Sequence, residues 1–149
     1  MIQSAGVIII DGLNKETEPR VLAVRAYAHW DFPKGCVELG EDLLQAAMRE
    51  TEEETTLVPI VDYTLTGARA PTIQRSYGKK KKEITYFLAI REGDKTPELP
   101  FCYAIGRPEN DEFQWLPLSK LPEKMHGPIV EVVCSYLNEW CRVNKNKKI

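Results

Sequence analysis

The sequence predicts an α/β protein, built as an α/β/α sandwich in which helices cover both faces of a mixed sheet. Short apolar runs rich in Val and Ile recur along the chain and are bounded by turn residues, which is typical of strands. Two other segments place their apolar residues at helical spacing. The 149 residues are enough for one domain with a real core, so we expect a single domain over 1–149.

Strands are predicted at five places in the sequence. They cover residues 5–10, 21–25, 60–66, 84–90 and 112–116. The segment HWDFPKG at 29–35 is expected to form a loop or a short strand that leads into the first helix.

The two helices are predicted from their caps and from their apolar stripes. The first begins near Asp42, which forms a capping-box pair with Gln45. Its core-facing stripe consists of Leu43, Leu44, Ala47 and Met48. The second helix begins at Pro128. Its apolar side consists of Ile129, Val130, Val133, Tyr136, Leu137 and Trp140.

The densest group of charges lies on the first helix. Glu50, Glu53 and Glu54 stand at i, i+3 and i+4, so the helix brings their carboxylates to one edge. Such like charges are unfavourable without a cation, and carboxylate oxygens are the ligands that Mg²⁺ prefers, with Mn²⁺ as an alternative. Arg49 lies four residues before Glu53 and can orient its carboxylate. The pattern therefore predicts a site for a hard divalent cation.

The segment GCVELGEDLLQAAMRETEEETTL at 35–57 resembles the Nudix box, G-x5-E-x7-R-E-U-x-E-E-x-G-U with U apolar. The matching positions are Gly35, Glu41, Arg49, Glu50, Glu53, Glu54 and Leu57. Thr51 departs from the pattern at an apolar position, and Thr56 replaces the glycine. A β-branched residue in the left-handed conformation of a helix end costs roughly 1 kcal/mol, so either the turn differs or stability is lost. Neither departure removes a metal ligand.

The resemblance implies the Nudix fold and a hydrolase that cuts nucleoside diphosphates linked to another group. It implies that Gly35, through its carbonyl, and Glu50, Glu53 and Glu54 hold Mg²⁺. A bound water would then attack phosphorus, with Glu53 or Glu109 as the base. Asp111 and Glu112 remain alternatives to Glu109. The non-enzymatic alternative is a Nudix-fold binding module that senses a nucleotide without cleaving it.

The segments that flank the box narrow the range of expected substrates. Trp-x-x-Pro-Lys-Gly at 30–35 resembles the same segment of asymmetrical dinucleoside tetraphosphate hydrolases, which implies that Lys34 meets a phosphate. That family also has a nucleotide-holding tyrosine followed by basic residues, and here Tyr77 precedes the lysines 79–82. The residues expected to contact the substrate are Lys34, Arg75, Tyr77, Lys79 and Lys81. The expected reaction converts diadenosine tetraphosphate to ATP and AMP.

Two other substrate classes stay open. Diphosphoinositol polyphosphate phosphohydrolases also carry a basic run before a Thr-Tyr strand, although a glycine run usually precedes their box. RNA 5′-pyrophosphohydrolases have a similar segment before the box, usually with Gln in place of Lys34. The structural alternative for the lysines 79–82 is a solvated hairpin tip.

Composition limits the partners and the compartment. The net charge of −2 gives no global attraction to nucleic acid or membrane, so a polyanion must meet a local basic patch. No apolar run is long enough to span a membrane, and the N-terminus lacks the features of a secretory signal. The four cysteines contain no CxxC pair, so we expect a reducing, cytoplasmic setting. The sequence indicates no obligate protein partner.

Overall fold

A mixed β-sheet forms the centre of the computed structural model, which describes residues 1–146 apart from the side chain of Tyr77. The strands are β1 (Ile2–Asp11), β2 (Arg20–Ala26), β3 (His29–Asp31), β4 (Lys34–Cys36), β5 (Tyr63–Arg69), β6 (Ile73–Tyr77), β7 (Lys80–Arg91), β8 (Phe101–Cys102), β9 (Arg107–Pro108) and β10 (Glu112–Pro117). The helices are α1 (Leu43–Thr55), α2 (Leu121–Lys124) and α3 (Ser135–Asn144). A 3₁₀ turn at Leu118–Lys120 precedes α2, and a π-helical segment at Ile129–Cys134 leads into α3.

The sheet is ordered β10-β2-β1-β7-β5, with β3 beside β2, β4 beside β1 and β6 beside β7. β1 and β7 pair in parallel, from Ile2 opposite Lys82 to Ile10 opposite Ile90. The other neighbours in this sheet are antiparallel. β8 and β9 form a separate small hairpin. The predicted mixed sheet is therefore confirmed.

The apolar run in the second half of β1 is buried on both faces of the sheet. Val7 and Ile9 pack with residues of α1, whereas Ile8 and Ile10 pack with residues of α3 on the opposite face. Successive side chains of a strand point to opposite faces, so a central strand covered on both sides must be continuously apolar. The α/β/α sandwich predicted from the sequence is confirmed by this arrangement.

The predicted start of α1 is confirmed. The Asp42 carboxylate accepts a bond from the Gln45 backbone N–H at 2.8 Å, and the Gln45 side chain accepts one from the Asp42 N–H at 3.0 Å. The core-facing stripe differs in part, because Ala46 and Ala47 are fully buried while Leu44 and Met48 are half-buried.

Two other boundaries were predicted wrongly. The strand expected from position 60 begins at Tyr63, because the Asp62 carboxylate binds the Val58 N–H at 2.8 Å and closes a turn there. The strand expected from position 84 begins at Lys80, because β6 pairs with the lysine run. The helix expected from Pro128 is present, with its first turns in the π form.

No helix within 1–146 combines the length and the apolar character needed to cross a bilayer.

Candidate active site

The turn between β4 and α1 brings Gly35 against the carboxylate of Glu50. A Cβ atom on Gly35 would lie 2.0 Å from the Glu50 carboxyl carbon, so no other residue fits at this position without displacing Glu50. β4 is itself held by antiparallel pairing with β1, in which Gly35 stands opposite Ala5. The first glycine of the box thus allows the backbone to approach a carboxylate of the helix.

Arg49 ties the turn to the helix. Its guanidinium donates to the Glu41 carboxylate through Nε at 2.8 Å and Nη2 at 2.9 Å, and Nη2 also donates to the Cys36 carbonyl at 2.9 Å. Nη1 donates to Glu50 at 2.8 Å and to Glu53 at 3.2 Å. The hydrogen bonds from Arg49 lower the pKa of Glu41 to about 2. Arg49 therefore holds Glu50 and Glu53 side by side at one edge of α1.

Glu54 is buried behind this edge, with a side chain fixed at both oxygens. Oε2 accepts the backbone N–H of Lys34 and Oε1 accepts the side-chain amide of Asn110, both at 2.8 Å. Burial raises the pKa of Glu54 to about 8, and burial also raises the pKa of Glu50. Both carboxylates are therefore costly to ionise without further positive charge.

These carboxylates provide a donor set that suits a hard divalent cation. Glu50, Glu53 and Glu54 offer only oxygen atoms, and they lie beside the backbone of Gly35. In residues 1–146, no three acidic, histidine or cysteine side chains already converge on one point. Arg49 donates to Glu50 and Glu53, and the Asn110 amide donates to Glu54.

A cleft of about 740 Å³ opens next to Glu54, and we call it the main cleft. Its lining includes the aromatic residues Tyr27, Trp30 and Phe32, the cations Lys34 and Arg75, and Glu54, Glu109 and Asn110. Two of the predicted substrate contacts, Lys34 and Arg75, therefore lie in the same cleft as a box carboxylate. A volume within roughly 300–1,000 Å³ is typical of ligand sites.

Asp31 organises the two cations of the main cleft, a role that the sequence reasoning missed. Its Oδ1 accepts the Tyr86 hydroxyl at 2.7 Å and the Phe32 N–H at 2.8 Å. Its Oδ2 lies 3.6 Å from Lys34 Nζ and 3.9 Å from Arg75 Nη1. Tyr86 is fully buried, and burial raises the pKa of its hydroxyl, so it stays a neutral donor. The sequence signal that could have indicated this role is the acidic residue Asp31 inside the segment Trp-x-x-Pro-Lys-Gly.

Asn110 is the second residue that the sequence reasoning missed. Its neighbours Glu109, Asp111 and Glu112 are the candidate bases that the sequence offers. Asn110 itself is buried and contacts Glu54. Glu109 is exposed and lines the main cleft beside it. Asp111 and Glu112 instead bind Arg25, at 2.8 Å and 3.3 Å. The geometry therefore favours Glu109 over these two alternatives.

The lysine run divides between the two faces of the β6–β7 hairpin. Arg75 stands opposite Lys82, and Ser76 stands opposite Lys81. Because side chains alternate, Lys82 shares a face with Arg75, whereas Lys81 faces the other way. Lys79, Lys80 and Lys81 line a separate shallow cleft with the N-terminal residues 1–2, although alternation puts Lys80 on the same face as Lys82.

Tyr77 pairs with Lys80 through its backbone, and its side chain lies outside the described part of the structure. The substrate contact predicted for this side chain therefore stays a prediction.

The chain is similar to several curated proteins and solved structures. It is 33% identical over 93 residues to the asymmetrical bis(5′-nucleosyl)-tetraphosphatase of Rattus norvegicus, covering 62% of this chain and 58% of the relative. It is 31% identical over 112 residues to the RNA pyrophosphohydrolase of Brucella anthropi, covering 63% and 59%. The chain spans less than two thirds of the length of each curated relative that it matches.

The fold is similar to that in the crystal structure of a C. elegans Ap4A hydrolase binary complex. The TM-score is 0.82 with 23% identity, over 96% of this chain and 99% of that one. Residues 2–136 match the NUDIX domain family, which agrees with the box that Gly35 and the helix α1 carry. The chain belongs to the Nudix family.

Proposed function

We propose that the chain is a Mg²⁺-dependent hydrolase of nucleoside polyphosphates that converts diadenosine tetraphosphate to ATP and AMP. The observation that carries this proposal is the main cleft, in which Lys34 and Arg75 lie beside the box carboxylate Glu54 and among aromatic side chains. Cations there can bind phosphates, and aromatic rings can pack against a nucleobase. The similarity to the rat tetraphosphatase supports the same substrate class.

The proposed ligands of Mg²⁺ are the Gly35 carbonyl, Glu50, Glu53 and Glu54, with Mn²⁺ as an alternative ion. Nudix hydrolases generally use divalent metal ions. When bound, such an ion neutralises phosphate oxygens and lowers the pKa of a water molecule. The closeness of Gly35 to Glu50 and the burial of Glu54 support this assignment.

The protein side chains would orient the reactants and move one proton. Arg49 keeps Glu50 and Glu53 together, and Glu53 or Glu109 accepts the proton of the attacking water. The water oxygen bonds to phosphorus as the anhydride P–O bond breaks, and the leaving phosphate takes the electron pair. Lys34 and Arg75 stabilise the charge that develops on the phosphates.

RNA with a 5′-polyphosphate is the second candidate substrate. Lys79 and Lys81 lie outside the main cleft, where the phosphates of a longer chain could reach them. The similarity to an RNA pyrophosphohydrolase supports this candidate.

Product analysis separates the two candidates. Equal amounts of diadenosine tetraphosphate and 5′-triphosphorylated RNA are incubated with the protein and Mg²⁺, and the products are resolved by ion exchange. We expect ATP plus AMP to form at least about tenfold faster than pyrophosphate is released from RNA. Faster release of pyrophosphate assigns the RNA substrate instead, and no turnover of either contradicts the proposal.

A further inference from the structure

A second cleft opens on the other side of the box carboxylates. It has a volume of about 380 Å³, and we call it the hairpin cleft, because Phe101 and Cys102 of the β8–β9 hairpin form one wall. The opposite wall is the end of α1, with Glu53 and Glu54. The size lies at the small end of the roughly 300–1,000 Å³ that ligand sites occupy.

The main cleft and the hairpin cleft meet at three shared residues. Glu54, Glu109 and Asn110 line both of them. The proposed centre of hydrolysis therefore lies between two recesses. A substrate with one nucleoside would need only one recess, whereas a substrate with a nucleoside at each end could use both.

The β8–β9 hairpin is anchored to the catalytic helix and presents aromatic surface beside it. The Glu98 N–H donates to the carbonyl of Thr55 at the end of α1 at 3.0 Å, and the hairpin follows directly. Phe101 is 52% exposed and meets the ring of Tyr103 at 5.0 Å in an edge-to-face geometry. Part of the Phe101 surface is thus free to pack against a planar ligand.

Away from the proposed metal ligands Glu53 and Glu54, the charges of the hairpin cleft disfavour a phosphate group as its occupant. Glu52, Glu53, Glu54 and Glu109 all line it, and no lysine or arginine of the described chain does. A phosphate there would meet like charges, whereas an uncharged nucleobase with an amino group could donate to a carboxylate. The charge pattern and the aromatic wall together favour a nucleoside.

We propose that the hairpin cleft binds the second nucleoside of a dinucleoside polyphosphate, with its base against Phe101. This inference rests on the proposed function for the identity of the substrate. The phosphate chain runs from Lys34 and Arg75 in the main cleft past the carboxylates, and the far nucleoside packs against the hairpin. The two nucleosides are thereby bound by chemically different recesses.

Binding of two matched ligands tests this proposal. They are the methylene-bridged, hydrolysis-resistant analogues of diadenosine tetraphosphate and of adenosine 5′-tetraphosphate, which share a phosphate chain and differ in the second nucleoside. Calorimetry in Mg²⁺ gives both Kd values for wild type, Phe101→Ala, Phe101→Tyr and Ile105→Ala. Ile105 lies on the same hairpin and does not line the described hairpin cleft, so its variant controls for disturbance of the loop.

We expect Phe101→Ala to weaken the two-nucleoside ligand about fivefold or more and to leave the one-nucleoside ligand unchanged. Phe101→Tyr and Ile105→Ala should resemble wild type. Equal effects on the two ligands, no effect on either, or no binding of the two-nucleoside ligand to wild type would overturn the subsite. A Phe101-dependent difference in a protein that does not hydrolyse diadenosine tetraphosphate would support the subsite and refute the proposed function.

Discussion

Thr56 ends helix α1 in the left-handed conformation, with a φ of 67°, where the Nudix box has glycine. Its backbone N–H bonds the Glu52 carbonyl at 2.8 Å, so the turn keeps the ordinary geometry of a helix end. Of the two outcomes expected from the sequence, the structure therefore selects strain over a changed turn. Thr51, the other departure, is fully buried inside the same helix. We expect both residues to affect the stability of the folded protein, because neither lines the main cleft or the hairpin cleft.

Thr56→Gly should stabilise the protein by about 1 kcal/mol, because glycine adopts a positive φ without strain. For a chain of this size the melting temperature should rise by about 3 °C. Thr96→Gly is the matched control, because Thr96 is an exposed loop residue without a positive φ. A lower melting temperature for Thr56→Gly would show that the turn is not strained.

Thr51→Val should also stabilise the protein, by about 1 kcal/mol. The Thr51 hydroxyl is buried and finds no hydrogen-bond partner within residues 1–146, and valine has the same shape. Thr55→Val is the opposite case, because the Thr55 hydroxyl donates to the Thr51 carbonyl at 2.6 Å and accepts the Leu57 N–H at 3.2 Å. Urea denaturation should give changes of opposite sign for the two variants, and the same sign for both would refute this explanation.

Asp31 should act on the reaction through Lys34 and Arg75, which its carboxylate faces. A double-mutant cycle separates this role from a structural one. We expect Asp31→Asn to lower kcat/KM for diadenosine tetraphosphate about tenfold in the wild-type background. In a variant that already carries Lys34→Met and Arg75→Met, Asp31→Asn should lower kcat/KM less than about twofold. An equal factor in both backgrounds would show that Asp31 does not work through these cations.

At the scale of elements, the β6–β7 hairpin separates Lys82 from the lysines nearer its tip. Lys82 is half-buried on the face of Arg75, whereas Lys79, Lys80 and Lys81 line the separate cleft at the N-terminus. The substrate contacts predicted for Lys79 and Lys81 stay predictions. The sequence alone does not reveal the pairing of these lysines with β6, a strand that it did not predict. The hairpin therefore carries two groups of cations, which can contact different parts of a substrate.

Lys82→Met should lower kcat/KM for diadenosine tetraphosphate about threefold to tenfold, whereas Lys79→Met with Lys81→Met should change it less than about twofold. For a triphosphorylated RNA, the Lys79 and Lys81 double variant should instead weaken binding and reduce its salt dependence. Steady-state kinetics and binding at several salt concentrations measure both. A larger effect of the Lys79 and Lys81 pair on the dinucleotide would contradict the register argument.

Local patterns predicted the elements that depend on local chemistry. The capping box at Asp42, the apolar run of β1 and the glutamate spacing of α1 all follow from neighbouring residues. The contacts of Asp31 with Tyr86 and of Asn110 with Glu54 could not be predicted, because these partners lie 55 and 56 positions away along the chain. The short strands β6, β8 and β9 were missed for a similar reason, since pairing and not apolar content defines them.

In the molecule as a whole, the edge of α1 that carries the box glutamates lies between the main cleft and the hairpin cleft. The two clefts differ in the charge of their linings. β4 and α1 bring Gly35, Arg49 and the box glutamates together, and the main cleft adds Lys34 and Arg75 on one side. The hairpin adds Phe101 on the other side. The edge of α1 that carries the box glutamates is explained by membership of the Nudix family. We propose that the main cleft and the hairpin cleft select the substrate.

We propose that the box carboxylates carry out metal-dependent hydrolysis, and the rates of one reaction test this role. Initial rates of diadenosine tetraphosphate hydrolysis are compared for wild type, Glu53→Gln and Glu131→Gln, with Mg²⁺ and with EDTA. Glu131 is an exposed glutamate of the π-helical segment and serves as the matched control. We predict ATP plus AMP from wild type and Glu131→Gln only with Mg²⁺, and a loss of at least about a hundredfold (about 2.7 kcal/mol of barrier) in Glu53→Gln. Turnover that survives in EDTA, or in a folded Glu53→Gln variant, would contradict the account.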